Sequence, residues 1–582
     1  MLWIKNGKQY REETSRKISW GHWFVFFNSL WAIIIGSRYA FIIDWPDTLF
    51  GKLYFFISLL GHFSFIVFAV YLLVVFPLSF IIKNHRTFRG LTVILATIGM
   101  ALLLVDTEVF SRFNLHLSSV VWNLLVNPEN GELSRNWQIF FAPMPIILLA
   151  QMLFSRWSWE KLRSLERQKW LKGVGLFFLC AFTANHVIYA WADASIYRPI
   201  TMQKSNFPLS YPMTARSFLE KHGLLDKAQY SQTLEQEGRP EAPKINYPQQ
   251  ALRYAEHGEK TNILLITVSG LRYDAVKAET MPALHAFAEQ ATQYTNHYST
   301  GNTNNNGLTG LFYGLNANYT DSLLSNKTES VLIDTLRRKN SGYSLGLFSA
   351  DGFKASLFRQ ALFADNRLAK KKTDNRTAAE QFMQWHAQIT QRNTPFFAYL
   401  SLALPQGLTQ ADYTQQLSRL DTLLESVLNT VDPDTLVMLT AEHGYHFNGL
   451  DEKQQMHYFA RDEIQVPMIV RWKALAAGKI NRLTTHTDVL PALMKHLFNT
   501  ENPVSDYAQG KDLFDPSASH DWVQAGNYRW TVVIMPDGTQ YHIDRRGNYQ
   551  KYDRTYQPAS SESPPLGLFL DVFTREGEFF EK

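Results

Sequence analysis

Five long apolar stretches crowd into the first third of this 582-residue chain, and no other feature constrains its fold as strongly. Crossing a bilayer takes roughly 20 apolar residues. The stretches run from Ile18 to Ile43, with Arg38 near the far end; between Lys52 and Lys83, uncharged throughout and carrying Pro77; from Gly90 to Val105; from Trp137 to Ser155, with Pro143 and Pro145; and from Gly173 to Ala192. The third is the shortest and is expected to sit tilted or partly in the interface. The first is too long for a signal peptide, and no small-residue cleavage site follows it. The mean hydropathy of −0.19 suits a soluble protein only because the remaining two-thirds dilutes the average.

The loops between these stretches set an orientation. Alternate loops carry fourteen Lys and Arg residues: Lys5, Lys8, Arg11, Arg16 and Lys17, then Lys83, Arg86 and Arg89, then Arg156, Lys161, Arg163, Arg167, Lys169 and Lys172. The opposite loops carry three, Lys52, Arg112 and Arg135. The positive-inside rule then places the N-terminus in the cytoplasm and everything after Asp193 outside. Residues 1–193 have a net charge of +7 and the rest −2, so the basic character belongs to membrane loops and does not argue for nucleic acid. A single cysteine, Cys180, excludes a disulfide scaffold and a zinc–thiolate site. His22, His62, Asn185 and His186 lie within the stretches, and with no carboxylate at mid-membrane they read as packing groups rather than a transport path.

Residues 194–260 contain six prolines and little periodicity, and read as an arm between membrane and globule. Within it, Thr214 is a plausible N-cap, with Phe218, Leu219 and His222 on one helical face. Arg216 falls in the first turn, where the helix dipole disfavours a cation. A bound anion would remove that conflict, since helix N-termini and Arg both favour phosphate. Met213, Thr214, Ala215, Arg216, Ser217 and Phe218 are therefore a candidate lipid-binding segment, its apolar members suited to the boundary between headgroups and acyl chains. The alternative is an ordinary surface helix with a solvated Arg.

From Asn262 short apolar runs alternate with helical patterns. Strands are expected at Asn262–Val268, Tyr343–Ser349, Phe396–Leu402, Thr435–Thr440 and Val466–Trp472, with helices near 282–291, 328–339, 376–391, 411–430 and 487–498. This alternation predicts a mostly parallel α/β sheet covered on both faces. Trp530–Met535 and Thr539–Ile543 read as a small antiparallel addition. Ligands in such sheets gather at the carboxyl ends of strands, here Ser269-Gly270-Leu271-Arg272 and Glu442-His443-Gly444.

The motifs NILLITVSGLRYD, YSTGNTNNNGLTGLFYG, LVMLTAEHG and VPMIVRW resemble those of the alkaline phosphatase/sulfatase superfamily, nearest its lipoteichoic-acid-synthase and phosphoethanolamine-transferase branch. SWGHWF, IGSRY, GHFSF, YRPITMQ and LSYPMTARSFLEKHGLLD extend the likeness over nearly the whole chain, to the YejM/PbgA family of inner-membrane proteins. The resemblance implies a five-helix transmembrane domain over 1–193, a periplasmic interfacial arm over 194–260 and a periplasmic sulfatase-like α/β domain over 261–582. It further implies a sensor of lipid A (lipopolysaccharide) at the outer leaflet whose membrane domain engages a LapB-type adaptor. That contact would restrain FtsH proteolysis of the deacetylase committing lipid A synthesis. Cardiolipin binding or transport is the alternative role. Ser217 stands where close relatives carry a second Arg.

In the resembled enzymes a carboxylate after the first strand, a Thr nucleophile, an Asp-His pair and further His residues hold a divalent metal (Mg²⁺, Mn²⁺ or Zn²⁺). Carried onto this chain, Thr303 stands at the nucleophile position and His443 remains, but Ser269 replaces the first carboxylate and Glu442 the Asp. Activating a hydroxyl near neutral pH needs a cation held by several anionic ligands. Losing one carboxylate weakens that hold, with Asp274, Glu442, His446 and His457 as the groups that could compensate. Two readings stand: a pseudoenzyme with no certain cofactor, and a metal-dependent phosphohydrolase or transferase acting on a phospholipid headgroup. Because GNTNNNG is rich in turn formers, Thr303 also reads as a loop residue.

Overall fold

The computed structural model describes residues 2–118, 121–122, 141–255, 260–338, 341–364, 368, 372–559 and 565–581. They form two compact units, Met1–Tyr230 with Pro240–Pro243, and Ser231–Arg239 with Lys244–Glu581.

The first unit is helical: α1 (Leu2–Gly36), α2 (Leu49–Ile81), α3 (His85–Phe113), α4 (Met144–Glu160) and α5 (Trp170–Ala194). Among the described residues four helices are long and apolar enough to cross a membrane, Gly7–Phe41, Leu49–Ile81, His85–Arg112 and Trp170–Ala194. The stretch Trp137–Ser155 lies partly outside the described residues; α4, of 17 residues, covers its second half. The third stretch is longer than expected, because Asn84 caps α3 by accepting from Arg86 N at 2.8 Å and the helix continues through 29 residues. In α2, Pro77 has no N–H to give the Leu73 carbonyl and would crowd it. The chain makes a π-turn over Tyr71–Val75 just before it. Lys17, buried on α1, closes the end of α2 by donating to the carbonyls of Ser79 (2.5 Å) and Ile82 (2.6 Å).

Two further helix–helix hydrogen bonds come from residues with no charge to advertise them. Gln151 of α4 donates to Asn28 of α1 at 2.5 Å, and Trp20 Nε1 donates to Ser158 Oγ at 2.9 Å. His62 and His186, expected to pack helices together, instead tie the arm to α2 and α5. His62 Nε2 lies 2.8 Å from the Pro208 carbonyl, and Met213 N donates to His186 Nδ1 at 3.0 Å.

In the second unit, seven strands make one sheet: β1 (Ile263–Ser269), β2 (Thr292–Tyr294), β3 (Ser344–Ser349), β4 (Phe396–Ala403), β5 (Leu436–Thr440), β6 (Ile469–Arg471) and β7 (Gly478–Ile480). Their order is β3-β4-β1-β5-β6-β2-β7. Pairing is parallel from β3 to β5; β6 alone runs the other way, antiparallel to both its neighbours. β1 is buried along its whole length because both sheet faces are covered. Its residues split by parity: Ile263 and Leu265 join one core, Leu264, Ile266 and Val268 the other. A second sheet, β8 (Val523–Gly526), β9 (Trp530–Ile534), β10 (Gln540–Asp544) and β11 (Tyr549–Tyr552), is antiparallel throughout.

Candidate functional site

Ser269 ends β1, and Glu442-His443 follow β5, so neighbouring parallel strands bring the three residues to the carboxyl end of the sheet's centre. The Ser269 hydroxyl donates to Asn304 Oδ1 at 2.7 Å and lies 3.2 Å from His443 Nε2. His443 Nδ1 is 2.8 Å from its neighbour's carbonyl, Gly444 O, and 3.7 Å from Glu463 Oε2. Burial lowers the His443 pKa, which keeps the ring neutral.

Thr303 is no loop residue. It is the N-cap of the helix Asn304–Tyr313, its hydroxyl accepting from Asn306 N at 3.3 Å. The sequence hides this helix because NNNGLTG reads as turns. The first of its two glycines serves a close approach instead: a Cβ on Gly307 would lie 2.0 Å from the Glu442 carbonyl oxygen. Thr303, Asn305 and Asn306 line a cavity of about 140 Å³ with Leu234, Thr320 and Tyr528 among its other walls, but Ser269, Glu442 and His443 are not on it.

Glu442 does not reach toward Ser269. Its Oε1 accepts from Thr267 Oγ1 at 2.8 Å and from the Tyr399 hydroxyl at 3.4 Å, both inside the sheet, and its Oε2 is buried without a partner among the described residues. Burial raises its pKa to about 7. Glu463, which sequence reasoning did not single out, is pushed up to about 8 by burial and by neighbouring Asp462. Its only signal was proximity in space to His443.

The four candidate compensating groups are engaged elsewhere. Asp274 accepts from Arg272 Nε (2.9 Å) and Nη2 (3.1 Å). His446 pairs with Asp462 at 2.9 Å, and His457 Nδ1 accepts from Trp530 Nε1 at 2.8 Å. Glu442, the fourth, is held in the sheet as above. Among the described residues no group of three or more His, Cys, Asp or Glu is placed to hold a metal ion. The donor set points the same way: a neutral hydroxyl and an imidazole whose ring nitrogens face Ser269 and the Gly444 carbonyl, with the Glu442 carboxyl bound to Thr267 and Tyr399, do not suit a hard dication. These residues do not fit the metal that the resemblance implies.

In the arm, the helix is short, Arg216–Lys221, and its N-cap is Ala215 rather than Thr214, with no side-chain cap. Phe218 and His222 share a face as expected, their ring centroids 4.2 Å apart. The cation in the first turn has a protein partner that the sequence did not reveal: Arg216 Nε lies 2.8 Å from Asp193 Oδ2 at the end of α5. Around it Leu209, Tyr211, Met213, Phe218 and Leu224 are all more than half exposed.

Comparison with known proteins places both halves. Residues 7–254 match a domain of unknown function, DUF3413, and residues 261–500 match the Sulfatase family. An uncharacterized protein of Haemophilus influenzae is 64% identical over 100% of both chains. The inner membrane protein YejM of Salmonella typhi is 43% identical over 99% of each chain, as is that of Salmonella typhimurium. Among solved structures, an alkaline phosphatase superfamily protein from Vibrio parahaemolyticus shows 13% identity and a TM-score of 0.45, covering 58% of this chain and 92% of its own.

Proposed function

The chain belongs to the family of the inner membrane protein YejM, and on that premise we propose that it senses lipid A at the outer leaflet of the inner membrane and regulates lipopolysaccharide synthesis through a LapB-type adaptor and FtsH. Its sulfatase-like domain acts in this reading without metal-dependent hydrolysis. The asymmetry of loop charge, fourteen against three, favours five spans with the N-terminus in the cytoplasm and the globular domain in the periplasm.

The observation that carries the sensor reading is the run of exposed apolar side chains around Arg216, just beyond the end of a membrane-spanning helix. Five large apolar groups left to water would be costly, whereas a lipid surface covers them. A diphosphorylated, many-chained lipid offers phosphate to Arg216 and acyl chains to Met213 and Phe218 at once. The hydrolase alternative loses ground because Ser269 is neutral and Glu442 is turned into the sheet.

The test is binding of lipid A, and separately cardiolipin, to the detergent-solubilised protein. Arg216→Ala is expected to weaken lipid A binding about tenfold, the size of one charge-assisted hydrogen bond. Arg216→Lys should recover part of it, and Phe218→Ala should weaken binding in its own right. Equal binding by all forms removes the arm from the sensor, and equal affinity for cardiolipin favours the alternative lipid. Stoichiometric divalent metal in the purified protein would reopen the hydrolase reading.

A further inference from the structure

A cavity of about 300 Å³ runs through the membrane unit, walled by α1, α2 and α3 together with Leu117 and, from the arm, Pro208 and Leu209. α2 and α3 each pack on α1 rather than on one another, which leaves the space between them. The groove opens sideways, since Val70 and Leu102 on its rim are 49% and 37% exposed. Gly99 lies on its wall, and a Cβ built there meets nothing within 4 Å. From Thr92 to Asp106 the α3 wall is about 21 Å long at about 1.5 Å per residue. One leaflet of hydrocarbon is about 15 Å deep, half of a core about 30 Å thick.

Four polar side chains face this apolar space, and three are satisfied by protein. Asn28 donates to Phe24 O at 2.9 Å and accepts from Gln151, Thr92 donates to Phe88 O at 2.8 Å, and Asp106 accepts from Tyr39, His116 and Leu117 N. The fourth, Tyr71, lines the groove and is only 5% exposed, and its hydroxyl, beside Gly21 of α1, is buried without a partner among the described residues. An unmade bond of this kind in hydrocarbon costs free energy until an acceptor arrives. Tyr71 begins the π-turn, and turns of that kind gather at functional sites. Its ring lies 5.9 Å from that of His22, on the turn of α1 that carries Trp20 and Trp23; Trp23 in turn meets Trp170 at 5.5 Å. Tryptophan clusters of this sort mark the headgroup level, which is where ester carbonyls sit.

We propose that this groove holds one acyl chain of an ester phospholipid from the leaflet on the tryptophan-rich side, the ester carbonyl accepting the Tyr71 hydroxyl and the chain running past Gly99 toward Asp106. Pro208 and Leu209 of the arm also line the groove, but the acyl-chain site rests on Tyr71 and Gly99 rather than on Arg216.

The test uses the full chain in phosphatidylethanolamine vesicles doped with a phosphatidylethanolamine that carries a photoactivatable diazirine midway along one acyl chain. Labelling is expected to concentrate on Leu95, Met100 and Leu103, and to be weak on Leu72 and Leu73, which are exposed outside the groove. Gly99→Phe should fill the groove and cut that labelling about tenfold without shifting the melting temperature. Tyr71→Phe should cut it about fivefold, the size of one neutral hydrogen bond. If Gly99→Phe fails to fold, the wild-type label map and Tyr71→Phe still decide. Labelling spread evenly over lipid-facing residues overturns the proposal, as does labelling that Tyr71→Phe leaves unchanged. Displacement of the phospholipid by an equal amount of free fatty acid overturns its choice of occupant.

Discussion

Buried charge is handled in opposite ways at Lys17 and Asp106 of one unit and at Glu442 and Glu463 of the other. In the membrane unit Lys17 gives its ammonium to two carbonyls, and Asp106 accepts from the Tyr39 hydroxyl, from His116 Nδ1 at 2.7 Å and from Leu117 N at 2.5 Å. In the globular unit Glu442 and Glu463 are as deeply buried, yet each keeps one carboxyl oxygen without a hydrogen-bond partner among the described residues. Hydrocarbon offers no water to an unpaired ion, so in the first unit Lys17 and Asp106 are satisfied by direct bonding. The second has an alternative: a carboxyl without a cation takes up a proton, and its pKa rises. The difference teaches that the sheet edge is folded for neutral groups in the place where the resembled enzymes assemble charged ones.

The largest effect is expected at Asp106. Asp106→Ala would leave the Tyr39 hydroxyl, His116 and Leu117 N without their acceptor, a loss of about 3–5 kcal/mol. The measurement is melting temperature and monodispersity in detergent, and Asp106→Asn should recover part of the loss because an amide still accepts. A fully stable alanine variant would break the contrast from the membrane side.

Next in size is a pH dependence. Both carboxyls have folded pKa values raised above the ordinary 4.5, to about 7 for Glu442 and about 8 for Glu463. The folded chain then holds more protons than the unfolded one between those values, so stability is greatest below about pH 4.5 from these groups and is lost as pH rises toward 8. The slope is about 1.4 kcal/mol per pH unit for each carboxyl while it titrates. Glu442→Gln and Glu463→Gln mimic the protonated acids and should each flatten the dependence. A wild-type melting temperature that does not fall between pH 5 and pH 8 would show these carboxyls to be ionised and held by something else.

What the sequence revealed followed the same division. β1, β4 and β5 are legible as ILLITVS, FFAYLSLA and LVMLT because strands buried on both faces must be apolar throughout. β2 and β7, three residues each, carry no such run and owe their place to neighbours. The membrane helices are legible by length, but their bonds are not: nothing local pairs Arg216 with Asp193, or Asn28 with Gln151. At the candidate site the replacement at Ser269 could be read directly. The inward turn of Glu442 could not, because it depends on hydroxyls from two other strands, Thr267 and Tyr399. In the sequence Thr303 reads as a nucleophile position or a loop residue, and its capping bond depends on a helix that its glycines and asparagines disguise.

The smallest effect concerns Thr303 and separates its two possible roles. As an N-cap, its hydroxyl satisfies one backbone donor at the start of the Asn304–Tyr313 helix. Thr303→Ala should then cost about 1 kcal/mol of stability. Thr303→Asn should restore nearly all of it, since asparagine caps as well as threonine but has no hydroxyl to deliver as a nucleophile. Cellular lipopolysaccharide level reads the other role. With the sheet edge acting as a neutral scaffold, both variants should keep that level normal, and alanine should show at most a lower protein yield. If Thr303→Asn is as stable as wild type yet disturbs lipopolysaccharide as a null mutation does, the hydroxyl itself is required. The neutral pocket around Ser269 and His443 would then have to be part of a reaction that proceeds without three charged ligands.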